Sequence, residues 1–156
     1  MSDVEAASKI LDTMLGHLGI TAEIQAQQSE EGPCLQILSS ESELIIGKDG
    51  DRLDDIQYLV NRILSRQKKD APRVKIDCEH YRAMREDEMT KEVQEIAKRV
   101  KESGQAHQMR PLNAYYRRLV HNALINDDMI VTSSPKSNDR LKRITISRKE
   151  NSDPSS

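Results

Sequence analysis

Two short stretches of this 156-residue sequence carry residue types at spacings that could do chemistry. The first is Gly47-Lys48-Asp49-Gly50, preceded by Ile45-Ile46 and followed by Arg52 at the head of an amphipathic run. Glycine has no side chain to hold a phosphodiester away, so main-chain N–H groups can approach it, and a helix N-terminus adds partial positive charge. Lys48 and Arg52 add screened cationic charge, while Ile45 and Ile46 would wall a groove for bases. Asp49 works against this, because a carboxylate repels phosphate. Alone, a Gly-x-x-Gly spacing says little. At a glycine frequency of about 7% roughly one arises by chance in a chain of this length, and a plain turn between helices is its simpler use. The patterns of a triphosphate loop and of a dinucleotide fingerprint are both absent.

The second stretch holds Arg117 and His121, four apart on an expected helix and therefore on one face, with Asn113 a turn earlier. Lys136, Arg140, Lys142, Arg143, Arg148 and Lys149 crowd the segment that follows. An arginine fork beside a histidine suits phosphate contact. For the pair alone, a helix with one surface arginine and one half-buried histidine is the simpler explanation. Catalytic patterns are missing. His17, His80, His107 and His121 have no metal-ligand spacing with one another or with Cys34 and Cys78, and no Gly-x-Ser-x-Gly or His-Glu-x-x-His occurs. Acidic pairs such as Asp54-Asp55 and Asp127-Asp128 suit helix caps and turns. The expectation is no catalytic residue, no metal and no cofactor.

These stretches need elements to position them. Val4, Ala7, Leu11, Met14 and Leu18 predict a helix over 4–18 that stops at Gly19. Strands are expected from Ile20 and over "PCLQILS", joined at Ser29–Gly32, and Ser40–Ile46 should enter the glycine loop as a short helix or turn. After Gly50, Leu53, Ile56, Val60 and Ile63 mark one helix face, widened by Leu59 and Leu64. "RVKIDC" reads as a third strand with Val74, Ile76 and Cys78 on one side. A long helix follows over 81–102, striped by Met89, Val93, Ile96 and Val100. Beyond it, "HQMR" suggests a short strand, Pro111 opens a helix to about Ile125, and "MIVTS" and "RLKRITISRK" suggest two more strands.

Composition narrows the options. With no Phe, no Trp and four Tyr, the cores must be aliphatic, and a base-stacking sheet built on several aromatics is excluded. Residues 1–46 hold one Lys/Arg against eight Asp/Glu, and residues 104–149 hold nine against three, which makes the back end a candidate polyanion surface. No apolar run approaches the roughly 20 residues of a membrane span, and no signal peptide is present. Cys34 and Cys78, 44 residues apart in expected strands, read as buried reduced thiols of a cytoplasmic protein, with pairing as the minor alternative.

"IIGKDG", the helix "LDDIQYLVNRIL", the strand "RVKIDC" and the helix beginning "YRAMRE" together resemble the bacterial KH domain, and "LNAYYRRLVH" with the basic strand after it resembles the R-three-H domain. In that order they resemble the Jag (SpoIIIJ-associated, also called KhpB) family, in a short form without the extra N-terminal domain of longer members. The resemblance implies an α+β fold. A type II KH domain (α-β-β-α-α-β) over 1–79, with its loop at 47–50, would be joined by a connecting helix at 80–103 to a small R-three-H domain over 104–149, with a disordered tail at 150–156. It implies a non-enzymatic protein that binds single-stranded RNA, with single-stranded DNA left open, as a post-transcriptional regulator or RNA chaperone. Ile45, Ile46, Gly47, Lys48, Asp49, Gly50 and Arg52 would form one contact, and Asn113, Arg117, His121, Arg140, Lys142 and Arg143 the other. A small protein made of a single KH domain is the implied protein partner. The alternative is a protein–protein adaptor linked to membrane insertion or cell-envelope control, with vestigial RNA binding.

Overall fold

The structure is a computed structural model that describes residues 2–150. Apart from Glu150, the tail expected at 150–156 lies outside the described residues. The chain divides into two compact units, one ending at Met84 and the other beginning at Arg85.

In the first unit the order is α1 (Asp3–His17), β1 (Glu23–Ser29), β2 (Gly32–Leu38), α2 (Ser42–Ile46), a 3-10 turn (Lys48–Gly50), α3 (Asp51–Gln67) and β3 (Lys75–Cys78). This is the α-β-β-α-α-β sequence of elements implied by the resemblance. Ser2 starts α1 through a capping box, its hydroxyl accepting from the Glu5 N–H while the Glu5 carboxylate accepts from the Ser2 N–H. The sheet runs β1-β2-β3, with β1 antiparallel and β3 parallel to the central β2. Leu35, Ile37, Ile76 and Cys78 meet Leu11, Leu15, Leu53, Ile56, Val60 and Leu64 in one aliphatic core. The inward stripe of α3 differs from the expected one. Leu64 is buried, whereas Ile63 and Leu59 are 39% and 47% exposed. The 100° step per residue carries Leu64, four after Val60, onto the core face and turns Ile63 toward its edge.

β2 is buried on both faces. Opposite its core side lie Gln36 and Asp77, and the Gln36 amide donates to the Asp77 carboxylate at 3.2 Å. Asp77 also accepts from the N–H groups of Cys78 (2.8 Å) and Arg82 (3.1 Å). Gln36 takes the His80 N–H at 3.1 Å, at a tight turn where Glu79 and His80 both have positive φ. Every polar atom named here has a partner, as buried groups require.

α4 (Tyr81–Ser103) then leads to β4 (His107–Leu112), α5 (Ala114–Leu124), β5 (Ile130–Ser133) and β6 (Lys142–Arg148), with the sheet ordered β4-β6-β5 and antiparallel throughout. Met89, Val93, Ile96, Ala97 and Val100 of α4 share a second core with Val120, Leu124, Ile144 and Ile146. One boundary moves. Pro111 belongs to β4 rather than to the helix, and Asn113 is the cap that starts α5. Proline is tolerated there because β4 is an edge strand with a bulge between Gln108 and Pro111.

Candidate nucleic-acid interface

The glycine loop is built by the end of α2 and the start of α3. Gly47 terminates α2 at φ 71°, ψ −171°, Asp49 sits at φ 54°, and Gly50 caps α3 at φ 81°, ψ 8°. The need for glycine is intramolecular. A Cβ on Gly47 would lie 2.7 Å from the Cβ of Arg52, and one on Gly50 would lie 3.0 Å from the Tyr81 ring. The loop is therefore folded tightly onto α3 and Tyr81, which leaves Lys48 and Asp49 exposed at its tip. Arg52 donates from Nη1 to the Leu44 carbonyl, so its charge also ties the loop to α2. Asp54 is neutralised by Arg82 at 2.7 Å, and Arg82 Nε donates to the Ile76 carbonyl at 2.9 Å. That pair pins the head of α3 to β3 and removes one negative charge from beside the loop.

Ile45 does not wall a groove: it is fully buried in the core, while Ile46 is half-buried. The exposed apolar side chain next to the loop is Leu44, 49% exposed, which the sequence does not single out. A five-residue helix gives too little periodicity to show which of three consecutive apolar residues faces inward.

In the second unit Asn113, Arg117 and His121 follow one face of α5, each held by main chain or side chain. The Asn113 side-chain oxygen accepts from the Tyr116 N–H at 3.0 Å, an N-cap that spends this acceptor on the helix. Arg117 Nη1 donates to the carbonyls of Leu112 (2.6 Å) and Arg140 (3.3 Å), while its Nε and Nη2 have no protein acceptor among the described residues. One corner of the guanidinium is thus anchored. His121 Nδ1 lies 2.9 Å from the Thr132 hydroxyl. When Thr132 is the donor, the imidazole proton sits on Nε2 and can be given to an outside acceptor. Arg140 is exposed, and its carbonyl helps hold Arg117.

Lys142 and Arg143 part company. Successive side chains alternate across a strand, so Lys142 shares the face of Ile144 and Ile146, onto which the α4 and α5 core residues pack, and Arg143 takes the opposite face with Thr145. Arg143 is thus not brought to the Arg117/His121 face. Tyr115 is half-exposed beside the start of this helix and bonded to the Glu86 carboxylate. No local signal in the sequence points to it, because its partner comes from α4.

Among the described residues no group of three or more His, Cys, Asp or Glu is placed to hold a metal ion, and no helix is long and apolar enough to cross a membrane. Cys34 and Cys78 are free, buried thiols. Burial, with Glu79 and Asp77 next, pushes the Cys78 thiol up to about 11.

Residues 87–148 match the family of the R-three-H domain. This sets the class: a protein with an R-three-H domain behind an α-β-β-α-α-β unit. The chain is 30% identical over 131 residues to the RNA-binding protein KhpB of Clostridium symbiosum, covering 84% of this chain and 58% of that protein. It is 23% identical over 121 residues to the RNA-binding protein KhpB of Bacillus subtilis, covering 78% and 58%. Against the RNA-binding protein KhpB of Lactiplantibacillus plantarum the identity is 24% over 131 residues, covering 84% and 41%. The chain carries an R-three-H domain and is similar to these KhpB proteins, and it spans between about two fifths and three fifths of their length.

Proposed function

We propose that this chain is a non-enzymatic, cytoplasmic binder of single-stranded RNA that acts as a post-transcriptional regulator or RNA chaperone. The observation that carries this reading is Arg117, whose Nη1 is fixed by two carbonyls while its Nε and Nη2 have no protein acceptor among the described residues, on the α5 face that also carries His121. A guanidinium oriented before the ligand arrives loses little freedom on binding a phosphate. In the first unit Lys48, at the loop tip before the N-terminus of α3, supplies the second contact, opposed by Asp49. Each contact is weak, and one chain carrying both makes the second contact effectively intramolecular. The names of the relatives support the choice of RNA.

The test is a salt titration of binding to single-stranded RNA and DNA oligonucleotides. Phosphate contacts give a log–log slope of about −0.7 each, and Arg117→Ala should reduce that slope by about one such step. A flat salt dependence, or no binding at moderate salt, refutes the reading. The adaptor reading rests on one observation, a shallow apolar groove between α1 and α3 lined by Ile10, Met14, Leu18 and Ile63. A small single-KH-domain protein is the partner it would take, and chemical crosslinking of the two in solution tests it.

A further inference from the structure

The first unit is acidic almost throughout, with three Lys/Arg against twelve Asp/Glu over residues 1–57, and then reverses sharply. Residues 58–75 hold six Lys/Arg and a single acid, Asp70. Four of the six, Arg62, Arg66, Lys69 and Arg73, have no ion-pair partner among the described residues. The other two are paired, Lys68 with Asp3 and Lys75 with Glu31. A helix C-terminus favours cations, which accounts for Arg66 and its immediate successors. It does not account for Arg73, which lies beyond the helix, or for Tyr58, which is in mid-helix and 65% exposed.

These residues surround a pocket. Tyr58, Arg62 and Ser65 line it from α3, with Pro72 and Arg73 from the segment before β3. Its floor is held by Asn61, which donates to the Val74 carbonyl at 2.8 Å and accepts the Val74 N–H at 2.8 Å. That pair of main-chain hydrogen bonds fixes Arg73 against α3. Gln57 adds a third tie, accepting the Ile76 N–H at 2.9 Å. At 100° per residue, Arg52, Asp55, Tyr58, Leu59, Arg62 and Arg66 fall on the exposed face of α3, so this face runs from the glycine loop to the pocket.

We infer that Tyr58, Arg62 and Arg73 form a second nucleotide-binding site at the far end of α3, which takes one nucleotide of a single strand. Its base stacks on the Tyr58 ring and its phosphate lies between the two guanidinium groups. Arg62 lies about 15 Å along the helix from Arg52, at 1.5 Å per residue, so the site is separate from the loop. The inference rests on the proposed RNA reading for the identity of the strand. It adds a base-stacking element that neither the loop nor the Arg117 face contains. An aromatic platform with flanking arginines binds with little sequence preference, because every base presents a π-face.

The experiment uses the full chain and fluorescence anisotropy with labelled single-stranded RNA, comparing Tyr58→Ala, Tyr58→Phe, Arg62→Glu with Arg73→Glu, Lys48→Asp and Arg117→Ala. Tyr58→Ala should weaken binding about tenfold and Tyr58→Phe hardly at all, since stacking needs the ring and not the hydroxyl. The double arginine variant should also lower the salt slope by about 0.7 for each phosphate no longer held. These side chains are exposed, so unchanged thermal melts confirm folding. If wild type binds and Lys48→Asp weakens it while the Tyr58 and arginine variants do not, this inference fails and the RNA reading stands. If the Tyr58 and double arginine variants weaken binding while Lys48→Asp and Arg117→Ala do not, the second site stands and the sites in the main proposal fail. A double arginine variant that keeps RNA affinity but no longer binds vesicles containing anionic phospholipid would assign the cluster to a membrane surface and overturn the inference.

Discussion

The same substitution, glycine to alanine, should change stability in opposite directions at two positions of the first unit. Gly16 lies within α1, and a Cβ there would have no atom within 4 Å. Alanine loses less backbone entropy than glycine on entering a helix, so Gly16→Ala should stabilise by about 0.5–1 kcal/mol, toward the low end because the site is in the last turn. Gly47 is the opposite case. Its φ of 71° and ψ of −171° lie in a region essentially reserved for glycine, where another residue costs about 1–3 kcal/mol. The added Cβ would also stand 2.7 Å from the Arg52 Cβ, well inside the ordinary separation of carbon atoms, about 3.5–4.0 Å. Arg52 Cβ is close to the backbone of the first turn of α3, so relief requires the helix start to move. The sum is a destabilisation of about 3 kcal/mol or more. Native-state hydrogen exchange at the Leu35 and Ile76 amides reads the first unit directly, and protection should rise slightly for Gly16→Ala and fall by roughly two or more orders of magnitude for Gly47→Ala. A cost below about 0.5 kcal/mol at Gly47, or a loss at Gly16, would refute the account of why the loop needs glycine.

Replacing Asp49 with Asn removes a charge that opposes phosphate while keeping a residue that tolerates left-handed backbone, so Asp49→Asn should tighten RNA binding roughly two- to fivefold by anisotropy at low salt. Asp127 accepts from Lys101 Nζ at 2.8 Å and from the Met129 N–H at 3.0 Å, and these bonds, the lysine's first, hold its carboxyl below the ordinary 3.8. The folded state thus binds its proton less readily than the unfolded chain, so the stabilisation is present in full above that pH and is lost as pH falls below it. Thermal melts of Asp127→Asn should be lower than the parent near neutral pH, with the gap closing below about pH 4. The buried Cys78 thiol, pushed up to about 11, should be inert to a thiol reagent near neutral pH and become titratable only with denaturant.

Much of the element order is legible in the sequence because it depends on local pattern. The stripe of Met89, Val93, Ile96 and Val100 announces α4, the turn at Ser29–Gly32 announces the β1–β2 hairpin, and all four stripe residues are buried as expected. The candidate residues are also legible as types, since a Gly-x-x-Gly before a helix and an Arg–His pair four apart need no coordinates to be noticed. Their environments are not legible. Ile45 and Ile46 are chemically equivalent neighbours, and only the packing of α2 against the core decides that the first is buried and the second half-buried. Lys142 and Arg143 are adjacent cations that any strand would send to opposite faces, and only the packing of β6 decides that the face of Lys142 is the one toward the core. By pattern the glycines offer room for a ligand, yet the atoms that forbid side chains there belong to Arg52 and Tyr81, the second of them 31 residues from Gly50 along the chain. Sequence determines which residues repeat with a helical or strand period and which charges cluster, because those properties travel with neighbouring positions. Tertiary structure alone decides which donors of Arg117 are already spent and which are left without a protein acceptor among the described residues, because the carbonyl of Arg140 reaches it across 23 residues of chain.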